Sequence, residues 1–418
     1  MTPVTYFLIK YKIEITIMIY LIISFLVVVA PDKYITRPVF QDGIPPCYLV
    51  DYSTGFGGRK LMGSIASVVL GNYVTKRELF CFISTGYAFL ILLFSFLIGK
   101  FLKKVKSSQP KDIYWGCLYL VLLYLSSPFS IAYLFNWQNF GRMEIWQLII
   151  LVIFILAYSS INKYIRPLWS LLCIIVSILI HPVFLSTYFP FYGLMMIYDV
   201  YNNCGREKKY IVFEYFISLC IVFLFMIWIQ FYPSPNMTLE ELTLYLQNKT
   251  NIELDVFYVK FLFLAKLSDH IREVVIGYIP RTVSGIVLAF ILFSPFFYII
   301  YNILKDYYYY LRKNRVQLFL VVASLSPMII AYITAVDFGR WLAADINCLL
   351  LFSSYLIYNN KKSALSPIPK LYYSIRRHPY IYLFILLYLD CFGKVGFRFQ
   401  PIITFAADNI SELFYLMI

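Results

Sequence analysis

The chain has 418 residues, of which 61% are hydrophobic, 20% aromatic and only 14% charged. An ordinary soluble domain carries about 25% charged residues, so the composition excludes a soluble enzyme. The net charge of +14 sits in short loops on one side of the apolar runs, which excludes a nucleic-acid surface as its cause. What remains is an all-α, polytopic helical membrane protein in which residues 1–418 form a single integral membrane domain.

Apolar runs close to the bilayer-crossing length of about 20 residues recur from end to end. They fall at 13–30, 79–99, 113–135, 146–161, 167–182, 184–200, 210–231, 282–303, 316–336, 341–358 and 379–393, about 11 transmembrane helices. The first run follows Lys10 and Lys12 in the manner of a signal peptide. Pro31-Asp32-Lys33 stands where a small-x-small cleavage site is required, so it reads as an uncleaved span. Residues 402–418 read as a final partial span or an interfacial helix.

The connections alternate in character. One set carries Lys100/Lys103/Lys104/Lys106/Lys111, Lys163/Arg166, Arg206/Lys208/Lys209, Lys305/Arg312/Lys313/Arg315 and Lys361/Lys362/Lys370/Arg376/Arg377. The positive-inside rule makes these cytoplasmic, together with the N-terminus. The other set faces outward and includes a first outer loop at 31–78 and a large outer loop at 232–281. In the latter, Thr238-Leu239-Glu240-Glu241 is a helix-starting capping box. Leu254 to Leu267, apolar and aromatic with Lys260 and Lys266 interspersed, suits an interfacial helix. Ser127-Pro128, Ser294-Pro295 and Ser326-Pro327 place prolines inside apolar runs, where each removes a backbone bond and breaks or kinks the helix.

The eight cysteines form no C-x-x-C pair. Cys81, Cys117, Cys173, Cys220 and Cys348 lie inside apolar runs as small core residues, and Cys47 is the one expected to face the exterior. No ligand spacing for a metal and no cofactor fingerprint is present.

Chemistry is concentrated in Gly-Arg pairs. Gly58-Arg59, Gly141-Arg142 and Gly339-Arg340 fall on the outer side, whereas Gly205-Arg206 falls in a basic inner loop. Guanidinium is a permanently charged fork that grips phosphate through paired bonds, so several converging forks suit a phosphorylated lipid head group. The strongest cluster is Asp337-Phe338-Gly339-Arg340-Trp341, with Asp345 a turn further on. The bland alternative there is an interfacial salt bridge with a Trp341 anchor in the aromatic belt. A second cluster is Asn139-Phe140-Gly141-Arg142-Met143-Glu144. A third is the glycine-rich loop from Asp51 to Arg59 and Lys60, whose amides suit a diphosphate. His181, before Pro182, is a candidate base or a satisfied core histidine.

In its many spans, its large outer loop past mid-chain, its outward arginines and Asp337-Phe338-Gly339-Arg340-Trp341, the chain resembles the Wzy-type polymerases of O-antigen and capsular polysaccharide. The resemblance implies an enzyme of the bacterial cytoplasmic membrane that joins repeat units carried on a polyprenyl diphosphate. Membrane lipid surrounds it, and a chain-length regulator is its expected protein partner. On that reading Arg340, Arg142 and Arg59 bind the diphosphate, Trp341 and Asp51 contact substrate, and Asp337, His181 or Glu144 is the base. No metal is needed, since arginine neutralises the charge. A GT-C-type glycosyltransferase is the first alternative and calls for an acidic residue in the first outer loop, here Asp42 or Asp51. A flippase or exporter of lipid-linked glycan is the second, although no half-to-half symmetry is visible.

Overall fold

The structure, a computed structural model, describes residues 9–28, 40, 43–135, 139–202, 205–231, 237–264, 279–334 and 338–391. Among them the regular elements are helical, with one isolated bridge between Val74 and Thr250. In chain order they are α1 (Lys12–Val28), α2 (Ile44–Leu49), α3 (Leu61–Leu70), α4 (Lys76–Ser108), α5 (Lys111–Ser126), α6 (Glu144–Tyr158), α7 (Arg166–Ile180) and α8 (Phe184–Thr187). There follow α9 (Phe189–Asn202), α10 (Gly205–Phe231), α11 (Leu239–Gln247), α12 (Val256–Phe263), α13 (Ile279–Leu292) and α14 (Ser294–Leu311). The last are α15 (Arg315–Leu325), α16 (Pro327–Thr334), α17 (Phe338–Tyr358), α18 (Lys362–Leu365), α19 (Pro367–Arg377) and α20 (Pro379–Cys391).

Among the described residues, four helical stretches are long and apolar enough to cross a membrane: Lys76–Ser108, Lys111–Phe135, Glu207–Ile229 and Gly339–Tyr358. A fifth arises if Ile286–Leu292 and Ser294–Tyr309, bent by 89°, count as one span. The other expected spans are shorter or interrupted. The bend falls at Ser294-Pro295, a second break separates α15 from α16 at Ser326-Pro327, and α5 ends before Ser127-Pro128. The expected sixth span divides into α8 and α9, bracketed by Pro182 and Pro190, each of which lacks an amide donor. The expected first outer loop contains α2 and α3, and the basic stretch after α17 is helical as α18 and α19. Pro367 in the first turn of α19 suits a helix start, since that amide has no helical partner anyway.

Non-helical backbone at membrane depth needs partners from protein. After α5 they come from one buried cluster. Asn347 on α17 donates to Phe129 O at 2.8 Å, and the Tyr124 hydroxyl accepts the Ile131 amide at 3.0 Å. Tyr124 also donates to the Asn347 side-chain oxygen, so the break is sewn to α17. Around this core the outer faces of α10, α14, α15 and α20 leave large apolar side chains exposed, Phe216, Tyr298, Phe319 and Phe384 among them. Apolar surface on this scale belongs against lipid.

Connections make contacts with others of their own charge character. The basic loops reach one another through Gln109–Asn360, Lys163–Glu207, Lys361–Asn202 and Lys370–Asp306. The 31–78 and 232–281 segments likewise join each other. The Val74 amide donates to Lys249 O at 2.7 Å, the Lys76 amide donates to Asn251 at 3.0 Å, and Lys249 pairs with Asp51 at 2.5 Å. The capping box at Thr238 is formed, with the Glu241 carboxylate accepting the Thr238 amide at 2.8 Å.

The seam between α2 and α3 depends on Gly63. A Cβ there would lie 1.9 Å from Val50 O, so any side chain must force the two helices apart. Gly63→Ala is expected to destabilise the protein by the upper end of the usual overpacking cost, about 1–3 kcal/mol. Thermal unfolding in detergent reads this directly. An unchanged midpoint would show that the seam yields freely.

Candidate functional site

Arg59, Arg142 and Arg340 enter the same region from different segments. Cys47, buried on α2, lies within the electrostatic reach of all three. Burial pushes its thiol up, while Arg59, Arg142 and Arg340 pull it down and Glu144 opposes them. All these charges therefore act on one sulfur. Cys47, expected to face the exterior, is buried on α2.

The Arg142 segment is held by its own aromatic neighbours. Phe140 stacks between Phe80 and Tyr87, with ring centroids 5.1 Å from each. Gly141 then turns with φ of 86°, where an added Cβ would meet Ile44 at 2.7 Å, so only glycine fits. Its carbonyl accepts from the Tyr48 hydroxyl at 2.8 Å, and that hydroxyl accepts from Trp146 Nε1 at 2.9 Å. The Arg142 amide closes a turn onto Asn139 O at 3.0 Å. This turn delivers Glu144 to the first residue of α6.

Glu144 and Arg340 form an ion pair, both almost fully buried. The Arg340 guanidinium also lies 4.8 Å from the centre of the Trp341 ring. Trp341 is 2% exposed and packs inside the bundle beneath the guanidinium, which does not match the alternative of an anchor in the interfacial aromatic belt. Its indole Nε1 is a buried donor without an acceptor among the described residues. Such donors in a native protein are uncommon. Asp337, the expected leading base, lies outside the described residues. Asp345 accepts from the Tyr332 hydroxyl at 2.8 Å, on the α16 side of α17.

Arg59 adopts a positive φ of 66° and donates from Nη1 to Leu262 O at 2.5 Å, so the guanidinium ties the first loop to the end of α12. Gly58 beside it packs on Pro182, where a Cβ would meet that ring at 2.8 Å. Thus Arg59 and His181 approach from neighbouring segments. The Val183 amide donates to His181 Nδ1 at 3.1 Å, and Gln147 donates to the His181 carbonyl at 2.9 Å. With Nδ1 accepting, a neutral His181 carries its proton on Nε2 and presents a donor there.

Asp51 and Lys60 are engaged inside the loop. Lys60 is 1% exposed and its ammonium donates to Thr54 Oγ1 and Gly55 O, each at 2.9 Å. Burial pulls it down to about 8, against the opposing pull of Asp51. Asp51 caps the turn at Ser53, accepts from Tyr245 at 3.2 Å and pairs with Lys249. Burial pushes its carboxyl up, but Lys249 and Ser53 together hold it below the ordinary carboxylate range.

Since the folded pKa of Asp51 is depressed, its contribution is complete above the unfolded value of about 3.9 and is lost as pH falls through the folded value. Hydrogen exchange of segments 51–60 and 245–250 should therefore be unchanged between pH 7 and 5 after correction for intrinsic rate. Both segments should loosen together in stronger acid. Lys249→Met should expose both segments at neutral pH, whereas independent behaviour of the two would refute the clasp.

Two buried phenols complete the region, and nothing in the sequence had marked them. Tyr133 and Tyr188 share a hydrogen bond of 2.8 Å, and both lie within the electrostatic reach of Glu144. With 39 tyrosines in the chain, residue type alone gave no signal.

Compared with known proteins, the chain matches no family profile, no curated sequence and no solved structure. Fold and site together define an all-helical protein with several helices long and apolar enough to cross a membrane and a buried polar centre that includes Arg340 and Glu144.

Proposed function

We propose that the protein is a polysaccharide polymerase of the Wzy type, with about 11 spans and a cytoplasmic N-terminus in a bacterial cytoplasmic membrane. It transfers oligosaccharide repeat units from a polyprenyl diphosphate at the outer face. What supports this reading is that Arg59, Arg142 and Arg340 all act electrostatically on the buried Cys47, with Gly141 of the Arg142 turn packed on Ile44 of the same helix and Arg340 paired with Glu144. Guanidinium groups brought together at such cost suit a polyanion with more than one phosphate.

In the proposed reaction an acceptor hydroxyl attacks the anomeric carbon of the donor. The bond from that carbon to the diphosphate oxygen breaks, its electron pair leaves with the lipid diphosphate, and the hydroxyl proton passes to a carboxylate. Among the described residues Glu144 is that carboxylate. It pairs with Arg340 in the resting protein, and a phosphate taking the guanidinium would free it. Fixed positive charge then meets the negative charge that grows on the leaving group, so it stabilises the transition state more than the ground state. His181 Nε2–H and Trp341 Nε1–H are further donors of the region.

A GT-C-type transferase is less well supported. The acidic residue it calls for in the first outer loop is Asp51, which the clasp with Lys249 occupies, while Asp42 lies outside the described residues. Paired halves expected of a flippase also have no support in the helix order. The deciding experiment is a gene deletion in the native host, with surface glycolipids resolved by size. A polymerase predicts lipid capped by a single repeat unit and no long chains. Long chains of unchanged abundance would remove the proposal.

A further inference from the structure

Helix α19 carries its basic residues on one side. Lys370, Tyr373, Arg376 and Arg377 are exposed, and on a helix they fall within about 120° of arc. The opposite side packs inward through Ile368, Leu371 and Ile375. Ile368 is fully buried where α19 crosses α5. A Cβ on Gly116 of α5 would lie 2.5 Å from its side chain and 3.0 Å from its carbonyl oxygen. The Tyr382 hydroxyl of α20 donates to Ser374 Oγ at 2.7 Å, and the Tyr119 hydroxyl of α5 donates to Tyr382 O at 3.1 Å. Contacts with both neighbours therefore fix which way the basic arc points.

The chain beyond this arc turns apolar to the outside almost at once. Helix α20 starts at Pro379, and its Ile381, Leu383, Phe384 and Leu387 are exposed. Arg377 stands just ahead of the first of these side chains, at the level where hydrocarbon gives way to head groups. Tyr380, 84% exposed, lies between them in the manner of an interfacial aromatic. Lys370 is paired with Asp306 of α14 at 3.0 Å. Arg376 and Arg377 have no carboxylate partner among the described residues.

We infer that this face of α19 is a docking surface for anionic phospholipid head groups, with Arg376 and Arg377 holding the phosphates. Charge complementarity selects the occupant. Guanidinium binds phosphate through paired bonds, and each basic residue close to an anionic bilayer strengthens the hold on that surface about fivefold. The level of the arc favours lipid over an acidic protein, because head groups belong beside the start of α20. The inference stands apart from the proposed function, since Arg340 lies at the other end of α17 from the basic loops.

The test follows hydrogen exchange of residues 368–380 in the full chain, held in two kinds of nanodisc. One is phosphatidylcholine alone, and the other is equal parts phosphatidylcholine and phosphatidylglycerol. In wild type the anionic discs should slow exchange in the second half of α19 by about fivefold or more. Arg376→Gln with Arg377→Gln should lose that slowing. The readout is the ratio between the two discs, so a change in the intrinsic stability of α19 cancels. Lys208→Gln with Lys209→Gln removes the same formal charge from the start of α10 and should keep the slowing. Slowing that persists in the arginine variant, or equal loss in both variants, overturns the docking face in favour of a response to net charge. Absence of slowing in wild type also overturns it. Protection by soluble polyglutamate in phosphatidylcholine discs would then give the face to an acidic protein.

Discussion

Arg340→Lys is expected to leave the protein folded and to reduce polymer formation by about 10²-fold or more, the scale of losing one well-aimed transition-state donor. Lysine retains the charge and can still pair with Glu144. What it loses is the planar fork that holds two phosphate oxygens at once. Arg340→Ala is a different experiment. It leaves Glu144 buried without its cation, and breaking a buried pair in this way costs about 3–5 kcal/mol. Its loss of activity therefore says little about chemistry. The informative comparison is Arg340→Met with Glu144→Met. Removing both charges is often near neutral for stability, so this double variant should melt close to wild type and make no polymer. Melting and chain length, measured on the same preparations, separate the two roles. Full activity in Arg340→Lys would show that the pair is an internal strut, with no grip on phosphate.

The coarse architecture was legible because lipid imposes a simple grammar of long apolar runs and basic loops. The gathering of the basic loops at one end, joined by Lys361–Asn202 and Lys163–Glu207, follows from that grammar. Proline positions were also informative: each Ser-Pro pair coincides with a break between helical elements. The amphipathic α19 was harder to read, since the search for spans rewards apolar length and α19 mixes Lys370, Arg376 and Arg377 with Tyr372 and Ile375. Within the site, Gly141-Arg142 and Gly339-Arg340 stood out because arginine is conspicuous in so oily a chain. Cys47, Tyr133 and Tyr188 did not, because their importance lies in what reaches them across the bundle. Asp51 was legible as a charge at the right end, but its partner Lys249 lies 198 residues away and carried no sequence signal.

The same ion-pair logic gives a contrasting expectation at the basic end of the bundle. Asp199 on α9, 2% exposed at its side chain, accepts from Arg166 at 2.9 Å, from Tyr158 at 2.5 Å and from Tyr215 at 2.9 Å. The Arg166 guanidinium also lies 4.8 Å from the centre of the Tyr158 ring. One carboxylate thus draws α6, α7, α9 and α10 together. Asp199→Ala strands a largely buried guanidinium between two phenols and should cost about 3–5 kcal/mol. Tyr215→Phe removes one charge-assisted hydrogen bond and should cost less, about 1.5–3 kcal/mol. Neither residue belongs to the centre of Arg340 and Glu144. Protein that survives extraction should therefore bind the diphosphate probe isopentenyl diphosphate with wild-type affinity, and polymer should fall only in proportion to the amount of folded protein. Thermal unfolding together with activity per folded molecule distinguishes this clamp from the Arg340 site, where activity falls and the fold persists. A specific activity loss in Tyr215→Phe at wild-type stability would move this cluster from scaffold to mechanism.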